Sequence, residues 1–307
     1  MKTVKKLMHK ILGILASKIV KITESNENEM MILGRIASNQ IHLQKDRIIE
    51  NIQNAEFKVF SQFGDDGIIQ FLVDYLSIQD KTFIEFGVGD YRESNTRFLM
   101  TNNNWKGLVM DSSKENLNKI LNSEYYWKYD LTAKELFVDQ DNINNFIKKS
   151  GFAGKLGILH IDIDGIDYWI WKKINVIDPI VVIMEYNSVF GPENPWVVPY
   201  DKNFNRTSAH YSNLYWGSSI SSLCDLADQK GYSFIGTNSA GNNAYFVKKE
   251  RRKELKPLTA KDGYTLSKYR ESRDLKGELN YVSDKHRLIT IKGCEVYNTR
   301  TNQKEKI

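Results

Sequence analysis

Closely spaced acidic residues in the middle of the chain are the first sign of chemistry. Residues 160–168 read HIDIDGIDY and follow an apolar run. Side chains repeat with period two along a strand, so His160, Asp162 and Asp164 are predicted to share one face. Two adjacent carboxylates are costly to bury, which favours a solvent-facing or ligand-facing strand end. Asp167 is predicted instead to cap the helix that follows.

A further carboxylate and an amide, Glu185 and Asn187, end the next apolar run. The carboxyl ends of parallel strands meet at one sheet edge, so Glu185 is predicted to lie near Asp162 and Asp164. A carboxylate there can take the proton of a hydroxyl acceptor. Alternatively, the three acids can hold Mg²⁺, which prefers oxygen ligands. His210 is a second candidate base, and the alternative for it is a surface position.

Two glycines and another carboxylate at earlier strand ends favour a ligand that contains a nucleoside. The strand predicted at 82–86 runs into Gly87-Val-Gly89, and glycines allow a tight turn and close approach of a ligand. Arg92 stands where a dinucleotide fingerprint needs a third glycine. Asp111 ends the next strand, where a carboxylate can accept both ribose hydroxyls. The alternative for this carboxylate is a helix N-cap.

These residues stand at strand ends in a chain that alternates strands and helices from residue 60 to 250. The parallel strands are predicted at 82–86, 107–110, 127–129, 156–163 and 180–185. Apolar strands alternating with helices imply a sheet covered on both faces. Residues 232–237 and 243–248 are predicted to form an antiparallel hairpin. We therefore predict an α/β fold with a Rossmann-like, seven-stranded, mostly parallel sheet, a terminal antiparallel hairpin and additional N-terminal helices.

A doubly wound sheet that ends in a hairpin resembles the class I methyltransferases, which use S-adenosylmethionine (SAM). The motifs at 162–168 and 185–187, with SQFG at 61–64, resemble an uncharacterised bacterial family distantly related to the FkbM group, whose members accompany surface-polysaccharide biosynthesis. The resemblance covers roughly residues 60–250. It implies an enzyme that O-methylates a sugar or a phosphate-linked group of a capsule or lipopolysaccharide precursor, with SAM as cofactor.

The resemblance also implies roles around the cofactor. The loop after the first strand would hold the methionyl part of SAM, and its leading acid would orient the amino acid group. The acid after the second strand would bind the ribose, and residues after the third strand would contact the adenine. The cofactor-binding residues implied in this way are Glu85, Gly87, Gly89, Asp111, Ser112, Asp130, Leu131 and Asp162.

A long insertion over 187–217 is predicted to bind the methyl acceptor. Loops of this length are usually functional or disordered, and its many aromatic residues argue against disorder. Flat rings can stack on a sugar or a nucleobase; the alternative is that they form a satellite core under the loop. The predicted substrate-binding residues are Asn187, Tyr200, Arg206 and Tyr215.

Charge and cysteine content restrict the partners. The formal net charge is +5, but residues 1–22 carry six lysines and no acid, so the rest of the chain is close to neutral. A near-neutral body argues against a nucleic-acid partner. The two cysteines form no disulfide framework or metal-ligand pattern, which predicts a reducing compartment, the cytoplasm.

Residues 1–22 are predicted to form a basic amphipathic helix that packs on the body or on a second subunit of a homo-oligomer. The alternative is peripheral contact with the inner face of an anionic membrane. We predict a helical appendage over 1–56, a SAM-binding domain over 57–250 and a C-terminal extension over 251–307. Two other functions stay open: a non-catalytic scaffold with a methyltransferase fold, and an NAD-linked oxidoreductase, which the missing third glycine disfavours.

Overall fold

The chain alternates strands and helices along most of its length. The computed structural model describes residues 26–269, 271–283 and 285–307, so the helix predicted at 1–22 lies outside the described residues. The strands are β1 (Thr82–Phe86), β2 (Lys106–Asp111), β3 (Leu131–Glu135), β4 (Gly154–Ile161), β5 (Ile177–Glu185), β6 (Trp196–Val197), β7 (Tyr232–Thr237), β8 (Asn243–Lys248), β9 (Glu295–Asn298) and β10 (Gln303–Lys306). The helices are α1 (26–41), α2 (Lys45–Glu50), α3 (Asp65–Tyr75), α4 (Arg97–Asn103), α5 (Lys114–Leu121), α6 (Glu124–Lys128), α7 (Ile143–Lys149), α8 (Asp167–Lys173), α9 (Arg206–Ala209), α10 (Ile220–Gln229) and α11 (Lys285–Thr290).

Seven strands form one sheet in the order β3-β2-β1-β4-β5-β8-β7. The first five strands in the chain pair in parallel, whereas β8 runs antiparallel to both β5 and β7. This topology confirms the predicted Rossmann-like sheet with a terminal antiparallel hairpin. The direction of winding reverses between β1 and β4, and ligands bind beyond the carboxyl ends of the strands at such a point.

The sheet is buried on both faces because its central strands are apolar at successive positions. In β1, Phe83 packs in one hydrophobic core and its neighbour Ile84 packs in the core on the opposite face. In β5, Val182 and Ile183 divide between the two cores in the same way. This is the pattern expected of parallel strands covered by helices on both sides. The polar strand ends are therefore left as the accessible edge.

Two of the predicted strands are corrected by the structure. The strand predicted at 127–129 lies in and just after helix α6, where Lys128 pairs with Glu124 one turn earlier. Tyr125 and Tyr126 of α6 pack against a hydrophobic core, so their β-like composition reflects partial burial rather than strand pairing, whereas Trp127 is exposed. Strand β4 ends at Ile161, before the acidic residues.

Within the helical appendage predicted over 1–56, the described residues form α1, α2 and two 3₁₀ turns, His42–Gln44 and Ile52–Ala55. Its buried isoleucines, Ile41, Ile48 and Ile52, pack in one of the two sheet cores. At the other end of the chain, β9 and β10 form a second sheet with β6 of the insertion. The division into three segments stays a prediction. Among the described helices, none combines the length and apolar character needed to cross a membrane.

Candidate active site

Three adjoining clefts open at the carboxyl ends of β1, β2, β4 and β5, and all three share Gly87 and Asp162. Their volumes are about 340, 320 and 350 Å³, which suit a small-molecule site. The first cleft is lined by Met110, Asp111, Ser112, Leu136, Phe137 and Val138. The second is lined by Gln62, Glu85, Arg92, Asn95, His160 and Asn242. The third is lined by Glu185, Asn187, Arg206, Trp216, Glu271 and Arg287. Together they form what we call the crevice.

Gly87 brings the ends of three strands together. Its backbone has a positive φ of 72°, and a Cβ at this position would stand 1.6 Å from the carbonyl oxygen of Asp162. Its amide donates a hydrogen bond of 2.9 Å to the carbonyl of Met110 at the end of β2. A residue with a side chain would have to push the β1 loop away from β4, so glycine is required here for close approach.

Asp111 connects the glycine loop to the first cleft. One carboxylate oxygen accepts a hydrogen bond of 2.8 Å from the amide of Gly89. The other accepts from the amide of Ser113 at 2.8 Å and from Asn116 Nδ2 at 3.1 Å. The N-cap of α5 is Ser113, so the capping alternative for Asp111 is wrong. The half-buried carboxylate lies at the rim of a cleft, where it can accept hydroxyl donors from a ligand.

Glu85 and His160 form a buried ion pair beneath the second cleft, with His160 Nδ1 2.9 Å from Glu85 Oε1. Burial would raise the pKa of Glu85, but the hydrogen bond and positive charge of His160 outweigh it and hold that pKa below its usual value. Burial would lower the pKa of His160, and Glu85 reverses this shift. Glu85 also accepts hydrogen bonds from Ser94 and Thr96. Its carboxylate is thus committed mainly to the protein and shapes the loop that follows it.

The acidic residues predicted to meet do so at the junction of the clefts. Asp162, Asp164 and Glu185 each place a carboxylate oxygen within 4.8 Å of the others. Burial and the negative charge of Asp164 raise the pKa of Asp162 to about 7. Burial and Asp162 raise the pKa of Glu185 well above its usual value. Glu185 Oε2 is buried and has no hydrogen-bond partner, so burial and the neighbouring negative charges favour the protonated forms of Asp162 and Glu185.

Asp164 fixes the insertion over the crevice. It lies in the loop after β4 with a left-handed φ of 55°, which Asp tolerates better than most residues. Its carboxylate accepts a hydrogen bond of 2.7 Å from Arg206. Arg206 also lies 3.6 Å from a carboxylate oxygen of Glu271 and 4.8 Å from the ring centre of Trp216. The prediction that Asp162 and Asp164 share a strand face is wrong, because both follow the end of β4.

Asp167 braces this loop rather than capping a helix by the usual contact. Its two carboxylate oxygens accept hydrogen bonds from the amides of Ile163 and Gly165, at 2.8 and 2.9 Å. The residue is fully buried, and burial raises its pKa. The Asp167 carboxylate therefore binds the backbone of the loop that carries Asp162 and Asp164. It holds this loop in place without lining the crevice.

Asp130 and Leu131 are misplaced by the sequence prediction. Because β3 begins at Leu131, both stand at its amino end, away from the crevice. Asp130 is 67% exposed and pairs with Lys106 at the amino end of β2, while Leu131 packs in a sheet core. The carboxyl end of β3 leads instead into Leu136-Phe137-Val138, which lines the first cleft. A correct placement of β3 would have led to these three residues.

The predicted acceptor residues divide between the crevice and a satellite core. Asn187 and Arg206 line the third cleft, although both Asn187 side-chain donors bond to backbone carbonyls of the insertion. Tyr200 receives a hydrogen bond from the amide of Gln140, and Tyr215 packs in a small core with strands β6 and β9; neither lines the three clefts. His210 lies outside them too and bonds Ser212 at 2.8 Å. The structure thus places Tyr200, Tyr215 and His210 outside the crevice where they were predicted to act.

The third cleft includes residues that the sequence did not predict. Ser267, Tyr269, Glu271 and Arg287 reach it from the C-terminal segment. Nothing in their local sequence marks them, because their position depends on how residues 251–307 pack against the insertion. The expected C-terminal extension therefore forms one wall of the candidate active site.

No protein-family model and no curated protein matches this sequence. Among solved structures, the chain is similar to the N-terminal domain of EvdMO1 with SAH bound, at 10% identity and a TM-score of 0.39 over 68% of this chain and 94% of that one. It is also similar to an O-methyltransferase from Bacillus cereus in complex with SAH, at 13% identity and a TM-score of 0.40 over 73% and 91% of the two chains. A CurJ carbon methyltransferase shares 10% identity at a TM-score of 0.39 over 64% and 56%. The fold described above rests on the strand order itself.

Proposed function

We propose that this chain is a SAM-dependent O-methyltransferase. The observation that carries the proposal is the convergence of Gly87, Asp111 and Asp162 on one crevice at the carboxyl edge of a Rossmann-like sheet. A glycine turn, a carboxylate after the second strand and an acid after the fourth strand are what a nucleoside cofactor and a proton transfer require together. A scaffold protein would have no need to keep the acids crowded there.

The residues present fit the parts of SAM. The first cleft offers apolar side chains of Leu136, Phe137 and Val138 for a base and the Asp111 carboxylate for ribose hydroxyls. The second cleft is polar, as a bound amino acid group needs. Gly89 has open space where a Cβ would stand, so its backbone is accessible to a ligand. When bound, SAM supplies an electrophilic methyl group on a positively charged sulfur.

The protein's chemical task is to position the acceptor and to remove its proton. We assign the base to Asp162, whose pKa of about 7 suits proton transfer at neutral pH. With SAM bound, the acceptor oxygen would receive the methyl group, and the acceptor would release only its hydroxyl proton. The hydroxyl proton passes to the Asp162 carboxylate, and Glu185 places a carboxylate oxygen within 4.8 Å of it. Arg206, held by Asp164, closes the insertion over the reacting groups.

A magnesium ion is the alternative use of the same acids, since their oxygens match its preference and lie close enough together. However, Arg206 already places a positive charge 2.7 Å from Asp164 Oδ1, where it competes with a cation. We therefore expect thorough chelation to change the rate of methyl transfer by less than about twofold, because the base needs no metal. The rate before and after chelation measures this. A loss of activity that added Mg²⁺ restores would show a metal-dependent enzyme.

The acceptor that we propose is a sugar or phosphate-linked hydroxyl of a bacterial surface-glycan precursor, handled in the cytoplasm. Support comes from the sequence motifs and from the third cleft, where Trp216 and Tyr269 offer flat faces beside polar groups. Homo-oligomerisation and contact of residues 1–22 with a membrane surface stay proposals.

Asp111→Asn tests the cofactor site. Weaker hydrogen bonds to the ribose hydroxyls should lower SAM affinity by about tenfold or more in calorimetry. The matched control is Asp130→Asn, which makes the same change at the opposite edge of the sheet and should leave SAM affinity unchanged. Equal losses in both variants, or binding of NAD⁺ in place of SAM by the wild type, would contradict the proposal.

A further inference from the structure

A buried arginine without a partner stands in the wall of the third cleft. Arg287 is only 7% exposed and comes from α11, which packs against the 3₁₀ turn at Ser188–Phe190 after β5. Its Nε has no hydrogen-bond partner, and the guanidinium forms no ion pair with any described residue. The side chain nevertheless lines the cleft that contains Asp162 and Glu185.

The other buried arginine of the described residues, Arg97, and the second arginine of the cleft, Arg206, each have an acidic partner. Arg97, at 4% exposure, pairs with Glu27 at 3.0 Å. Arg206, in the same cleft as Arg287, is held by Asp164 and Glu271. Asp164 and Glu271 of the cleft are thus engaged with Arg206, whereas Glu185 Oε2 has no hydrogen-bond partner. None of the described acids forms an ion pair with Arg287, so its positive charge is left without a partner among the described residues.

A buried charge without a partner destabilises the folded protein. A buried, unpaired ion costs several kcal/mol, and Arg does not escape the cost by losing its proton. Burial and the positive charge of Arg206 disfavour the guanidinium at this place, and burial lowers the pKa of Arg287. Tyr264, the nearest group that favours the charge, is a neutral phenol at physiological pH. A ligand that brings a negative charge would remove the penalty.

We propose that Arg287 binds an oxyanion, a carboxylate or a phosphate, on the methyl acceptor and thereby selects acidic sugars over neutral ones. That the bound molecule is a methyl acceptor rests on the proposed function, whereas the anion site itself does not. The planar guanidinium can donate two parallel hydrogen bonds to either oxyanion. With the anionic group at Arg287, the acceptor would span the third cleft toward Asp162, where its hydroxyl loses the proton.

The test measures sugar binding to the full chain by calorimetry in the presence of SAH. Glucose, glucuronate and glucose 1-phosphate serve as the neutral, carboxylate and phosphate probes. We expect at least one of the two charged sugars to bind the wild type about tenfold or more tightly than glucose. Arg287→Met should remove this preference, and Arg287→Lys should keep part of it. The control Arg47→Met changes an exposed arginine of α2 and should leave every affinity unchanged.

Folding and SAH binding separate the outcomes. Because Arg287 is unpaired, Arg287→Met should raise the unfolding temperature rather than lower it. SAH affinity should be the same in all variants. Equal binding of charged and neutral sugars by the wild type, a charge preference that survives in Arg287→Met, or marked destabilisation of that variant would each overturn the proposal. If SAH fails to bind but the charge preference depends on Arg287, the anion site stands and the methyltransferase proposal falls.

Discussion

Asp162→Asn is expected to lower kcat for methyl transfer by about 1000-fold at pH 8, as the loss of a general base does. The amide keeps the shape of the side chain but cannot accept the hydroxyl proton. SAM affinity should change by less than about threefold, since no bond that positions the cofactor is removed.

In the wild type, kcat/KM should rise with pH and level off above about 7, because Asp162 acts in its ionised form. Single-turnover rates across pH, with SAM binding measured separately, check this.

Thermal unfolding of Asp162→Asn distinguishes a general base from a residue that only stabilises the fold. The folded-state pKa of Asp162, about 7, lies above the ordinary value of 3.8, so the ionised carboxyl destabilises the folded chain increasingly as the pH rises between these values. Asp162→Asn should therefore unfold at a higher temperature than the wild type, and the difference should be larger at pH 8 than at pH 5. Asp164→Asn, which loosens Arg206, should reduce the rate by only about tenfold. A destabilised Asp162→Asn, or a rate equal to that of the wild type, would remove the assignment.

Gly87→Ala is expected to have the largest effect on the fold of the site. The new Cβ would overlap the carbonyl oxygen of Asp162 at 1.6 Å, and the positive φ disfavours any side chain. The β1 loop must move, which should cost about 3 kcal/mol and lower SAM affinity by about 100-fold or more. Thermal unfolding and SAM calorimetry give the two quantities.

The matched control is Gly151→Ala, which has a φ of 78° and open space around the added Cβ. It lies between α7 and β4, away from the crevice. It should cost about 1 kcal/mol from backbone strain alone and leave SAM affinity unchanged. If both variants behave alike, close packing of the β1 loop on β4 is not what forms the crevice.

Much of the fold could be predicted from the apolar runs of the strands and the residues at which these runs end. The bounds of β1, β7 and β8 agree with the sequence prediction, because apolar runs end there at glycine, asparagine or charged residues. The meeting of Asp162, Asp164 and Glu185 could also be predicted, since β4 and β5 are parallel neighbours and their ends must coincide.

The errors arise where tertiary packing overrides local composition. The aromatic residues of α6 look like a strand, and that mistake moved the adenine side of the site to Asp130 and Leu131. His210 and Tyr215 are polar and aromatic like site residues but pack within the insertion. Arg287 gives no local signal, because its importance lies in having no ion-pair partner among the described residues.

The crystal structure of the chain with S-adenosylhomocysteine bound would test the central claim most directly. We expect the adenine to lie against Leu136–Val138, the ribose hydroxyls to bind the Asp111 carboxylate, and the sulfur atom to be directed toward Asp162. A ligand seated elsewhere, or with its sulfur turned away from Asp162, would contradict it.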